Sequence, residues 1–154
     1  MIRAQAAAAL VVALALLSGC GSGGSGGLLS RDALDHTANK ICTRANTHDN
    51  LGLPPIDFRT DTVALVAYLQ QVVPIAHSEL NALSALRPEK SLQAQWNAFL
   101  GLAAQSTLLL DTTLAEAQSG HLAAALPNLD KLGSLTGQIS DASTRIGATA
   151  CIQG

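Results

Sequence analysis

Leucine and alanine return every three or four residues through most of this chain, and that spacing leaves helices packed side by side as the fold it can build. From Ser30 to Asn46 the apolar positions are Leu34, Ala38, Ile41 and Ala45, with Ser30 placed to cap and Asp32 in the first turn. From Asp61 to Leu86 they are Leu65, Leu69, Val72, Ala76, Leu80 and Leu83, with Thr60 or Asp61 as cap and Pro88 just past the end. From Ser91 to Ser119 the stripe runs through Leu92, Trp96, Phe99, Ala103, Ser106, Leu110, Leu114 and Ala117, and Gly120 supplies a left-handed stop. From His121 to Ala148 it runs through Leu122, Leu126, Leu129, Leu132, Leu135, Ile139, Ala142 and Ile146. Hydrophobic residues make up 48% of the chain and aromatic ones only 3%, so Ala and Leu carry the core and strand formers are scarce. The expected class is all-α, a four-helix bundle. Pro74 and Pro127 fall inside the second and fourth helices and should kink them.

The first twenty residues follow a different pattern. Met1-Ile2-Arg3 carries one positive charge, and Ala6 to Leu17 is an apolar run of twelve residues. A membrane-spanning helix needs about 20 residues, so the run fits a cleavable leader. Leu17-Ser18-Gly19-Cys20 follows it. These residues resemble the lipobox of bacterial lipoproteins. The resemblance implies that Cys20 receives a diacylglycerol on its sulfur and becomes the first mature residue once residues 1–19 are removed. Two acyl chains give stable anchoring where one is marginal. Residues 20–29 then read as the lipidated cysteine and a tether, since Gly21 to Gly27 contains only Gly and Ser. Residues 30–154 read as the helical domain. It is similar to small Ala/Leu-rich, disulfide-clipped helical lipoproteins of high-GC bacteria, a likeness that implies address and fold but no activity.

Lipidation of Cys20 leaves two of the three cysteines, Cys42 and Cys151, for an expected disulfide in an oxidising compartment. The link from Thr47 to Thr60 is long and carries Leu51, Leu53, Pro54, Pro55, Ile56 and Phe58. It reads as a crossover lying along the bundle. Cys42 sits late in its helix, so a crossover that returns to the starting end would run the first helix parallel to the second and fourth. The two cysteines would then meet at one end.

The chemistry-bearing motifs are few. None of Glu79, Glu89 and Glu116 has His three residues later, as paired carboxylate-bridged iron sites require. There is no C-x-x-C, C-x-x-C-H, H-x-x-x-H, G-x-S-x-G or P-loop. No cofactor and no metal are expected. Removing Arg3 with the leader leaves 8 basic against 11 acidic residues, a balance of −3 that does not suit nucleic acid. Asp57, Asp61, Asp111, Asp130 and Asp141 are dispersed caps and face charges. His77 flanks the stripe one turn after Pro74, with Tyr68 nine residues earlier; with Trp96 these are the candidate ligand-facing residues. Trp96 and Phe99 otherwise read as core, and Leu108-Leu109-Leu110 as a face buried between two neighbours.

The expected function is that of a non-enzymatic binding or structural module. A lipid anchor is its membrane partner, on the extracytoplasmic face of the cell membrane. The alternative is a carrier or sensor of a small apolar ligand or haem held between proline-kinked helices. An open pocket of several hundred Å³ would favour the carrier and a solid Leu/Ala core the module.

Overall fold

A computed structural model describes residues 27–49 and 60–152. The leader, Cys20, most of the tether and the apolar stretch of the crossover lie outside the described residues. Four α-helices follow one another: α1 (Arg31–Asp49), α2 (Thr62–Ser84), α3 (Lys90–Gln118) and α4 (Leu122–Ile146), with a short 3₁₀ turn, Thr149–Ile152, after the last. The fold is all-α, a four-helix bundle closed by a Cys42–Cys151 disulfide with Cα atoms 4.9 Å apart.

Local chemistry sets the helix ends. Asp61 accepts the Ala64 N–H at 2.8 Å and caps α2. Gly120 takes φ +77° between α3 and α4, a conformation strained for any side chain. Helix α2 continues through Pro74 and α4 through Pro127, so neither proline ends its helix. Each still removes one backbone donor from the ladder.

Helix α3 is the centre. Both α2 and α4 pack along it, and they scarcely meet each other. At one end, here called the base, α2 ends, α3 begins and α4 ends. The chain ahead of α1 is pinned there: Leu29 N–H donates to Arg87 O at 2.7 Å, and Glu89 N–H donates to Leu29 O at 2.9 Å.

The course of α1 differs from the sequence expectation. Its start lies by the α2–α3 turn, while Cys42, further along, lies within 4.8 Å of Glu79 on α2, measured between ligand atoms. Helix α1 therefore runs opposite to α2. It also starts beside the end of α4, where Arg31 Nη1 donates to Arg145 O at 3.2 Å. The disulfide forms even so, because α4 stops two residues earlier than its apolar pattern suggests. Gly147 takes φ +87° and turns the chain back. The last residues then follow α1: Asn39 Nδ2 donates to Gly147 O at 3.1 Å, Ala150 N–H donates to Asn39 Oδ1 at 2.6 Å, and Asn46 Nδ2 donates to Ala150 O at 2.8 Å. A reversing tail, rather than a parallel first helix, brings Cys151 to Cys42.

Burial divides the molecule in two. At the base Leu34, Ala38 and Cys42 pack with Leu83, Leu92, Trp96, Phe99 and Ile146, all 3% exposed or less. Trp96 and Phe99 stack at a tilt, ring centroids 5.3 Å apart. At the far end, among the described residues, Leu65, Leu69 and Ala117 form a smaller buried cluster, with Leu114, Leu122 and Leu129 packed against it. Between the two ends the helical pattern and the observed burial part company. Val72, Ala76 and Leu80 of α2, and Leu129, Leu132 and Ile139 of α4, belong to the expected stripes yet are only half-buried. Of the leucine run on α3, Leu109 and Leu110 are half-buried and Leu108 stands 66% exposed.

Candidate functional site

The missing burial has one cause. Because α2 and α4 both lean on α3 and scarcely meet each other, a cavity of about 340 Å³ remains between them. Sites for small molecules span about 300–1,000 Å³, so the space is of that order. One wall is α2, with Val72, Ala76 and Leu80; the other is α4, with Leu129, Leu132 and Ile139. The floor is α3, with Phe99, Ala103, Ser106, Thr107 and Leu110. Cys151 closes the base end and Tyr68 marks the far end. The lining residues of α2 run from Tyr68 to Leu83, about 22 Å along the helix at 1.5 Å per residue, with Glu79 about 16 Å from Tyr68.

The polar groups in the groove are unequal. Thr107 Oγ1 donates to Ala103 O and Thr136 Oγ1 to Leu132 O, each at 3.0 Å, so both hydroxyl protons are committed to their own helices. Glu79 is half-buried and is the one carboxylate among the described lining residues, which include no Lys, Arg or His. Its carboxylate lies within 4.8 Å of the sulfurs of Cys42 and Cys151. Those three groups have the right types for a thiophilic metal, but the disulfide commits both sulfurs.

The residues singled out from sequence are not gathered in one place. Tyr68 lines the groove. His77 does not: its Nε2 lies 3.0 Å from both carboxylate oxygens of Asp111 on α3, in a pair about half exposed. Its position one step off the stripe turns it to the outer α2–α3 surface. Trp96 does not line the groove either. It is 1% exposed in the base, and its Nε1 has no hydrogen-bond partner among the described residues. Cys42 and Cys151 form the disulfide, while Cys20 lies outside the described residues. Haem fits the lining poorly. Of the side chains that ligate haem iron, Tyr68 is the one present outside the disulfide.

Sequence reasoning missed Glu79. The signal was there: Val72, Ala76, Glu79 and Leu83 repeat at helical spacing, which puts a carboxylate on the inward face of α2. It also missed Asn128, buried between α3 and α4, whose Nδ2 donates to Glu116 Oε2 at 2.9 Å. No protein-family model matches this chain, and neither a curated protein nor a solved structure gives a match.

Proposed function

We propose that this chain is a lipid-anchored binding protein on the extracytoplasmic face of the cell membrane, and that the groove between α2 and α4 holds a small apolar ligand. The supporting observation is the set of stripe residues that face open space. Val72, Ala76, Leu80, Leu129, Leu132 and Ile139 follow a pattern that calls for burial, and they border the cavity of about 340 Å³ and are only half-buried. An apolar ligand would complete that burial, at about 0.8 kcal/mol for each methylene removed from water. The anchor rests on the leader, the Leu17-Ser18-Gly19-Cys20 motif and the Gly/Ser tether that follows.

The test is intact-mass analysis of the mature protein gently extracted from its own membrane. The expected spectrum shows Cys20 as a diacylglyceryl N-terminus, a mass two hydrogens short of the dithiol, and an apolar molecule retained in native spray and lost on unfolding. An unmodified Cys20 with the leader still attached would remove the anchor. A properly folded protein that neither retains nor takes up any apolar compound would remove the ligand.

A further inference from the structure

We infer that the Cys42–Cys151 disulfide is opened from inside the groove, by a small thiol attacking Cys151, and that a ligand lying in the groove blocks the attack. The inference rests on the groove being the binding site and adds its regulation. Filled protein keeps the clip, and empty protein can lose it.

The two sulfurs differ in access. Cys42 is 0% exposed, packed in the base core, and is not among the residues that line the groove. Cys151 is half-buried and forms the base end of the groove. Its sulfur lies within 4.8 Å of the carboxylate of Glu79, another lining residue, which sets the bond at the groove wall. Exchange requires a thiolate to reach one of the two sulfurs, and access decides which. A space of about 340 Å³ admits a small thiol. An apolar chain running past Phe99 and Ile139 to the base end would occupy that same space.

The attacking thiolate bonds to Cys151 Sγ, the Cys42–Cys151 bond breaks, and its electron pair leaves on Cys42 Sγ, which takes up a proton. A second thiolate attacks the added sulfur of the mixed disulfide and frees Cys151 as a thiolate, which is protonated in turn. Two thiols are oxidised to one disulfide, and the protein gains two electrons and two protons. Hydrogen bonds from Asn39 and Asn46 still hold the tail, but its covalent tie to α1 is gone.

The experiment treats the mature acylated protein in phosphatidylcholine vesicles with 2-mercaptoethanol, quenches in acid, alkylates in denaturant and reads both cysteines by peptide mass spectrometry. The thiol adduct should appear on Cys151 and the alkyl group on Cys42. The rate should scarcely change in urea below the unfolding transition, since no buried surface need be exposed. Dodecanol at a free concentration ten times its Kd leaves about one molecule in eleven empty, so the rate should fall about tenfold. Ala103→Trp, which narrows the groove, should slow the reaction with no ligand present, and circular dichroism checks that its helices remain. Adduct mainly on Cys42, a rate that climbs with urea, or equal rates with and without dodecanol when its binding raises the Tm would overturn the inference. Failure of any apolar chain to bind, with Cys151 still the residue attacked and Ala103→Trp still slow, would instead overturn the ligand reading and the protection that depends on it.

Discussion

The base and the middle of the bundle are built from the same residue types, yet one is solid and the other open. At the base four segments converge: the start of α1, the α2–α3 turn, the end of α4 and the reversed tail. They enclose Trp96 and Phe99, and Cys42–Cys151 ties the tail across α1. In the middle α1 packs against α2, and nothing among the described residues fills the gap between α2 and α4. The contrast shows that leucine periodicity defines a face but does not supply a partner for it. A fourth layer makes a core; without one the same stripe makes the wall of a pocket.

Several measurements can break that contrast. The largest effect should come from the clip. Replacing Cys42 and Cys151 together by Ala releases a loop that spans 109 residues in sequence, and loop entropy for that length is worth about 4.7 kcal/mol. Urea unfolding should show a loss of that order; a loss below about 1 kcal/mol would mean the base holds itself. Next, the same truncation should cost unequal amounts in the two regions. Leu34→Ala, at 1% exposure in the base, should cost about 3 kcal/mol. Leu132→Ala, on the groove wall, should cost less than about 1 kcal/mol, because its side chain already borders open space. Similar losses at both sites would show that the middle is as well packed as the base. Between these lies Gly147→Ala, expected to cost about 1–2 kcal/mol. Its φ of +87° strains a side chain, and an added Cβ would come within 3.1 Å of Asp35. The smallest effect should be Asp111→Asn. It removes an about half-exposed pair with His77 and should change stability by under about 1 kcal/mol.

The fold was legible where one rule decided the matter. Helical spacing located all four helices within a few residues at either end, and Gly120 marked its turn. The pairing of Cys42 with Cys151 followed from the lipobox reading of Cys20. What failed was the three-dimensional arrangement. The direction of α1 depends on Gly147, whose left-handed turn lies inside a stretch that reads as continuous helix, and on Asn39, whose amide grips the tail from over 100 residues away. Neither contact has a local signature. The site was half legible for a related reason. Tyr68 was singled out by its place nine residues before His77, whereas His77 itself was misplaced because one residue of helical phase separates the groove from the outer surface. Glu79 was overlooked in a search for motifs, though its phase put a charge on an apolar face. Whether two helices touch or stand apart is a property of the third helix between them, and no single stripe encodes it.

The central claim is that the space between α2 and α4 is a ligand site rather than a packing defect, and thermal unfolding with and without ligand tests it most directly. A compound that binds only the folded protein stabilises it by about 2.7 kcal/mol at a hundredfold excess over its Kd. Saturating dodecanol, an uncharged single-chain probe, should raise the Tm of the wild-type protein. It should not raise that of Ala103→Trp, which fills the floor of the groove with an indole. A shift of equal size in both proteins, or none in either, would contradict the account.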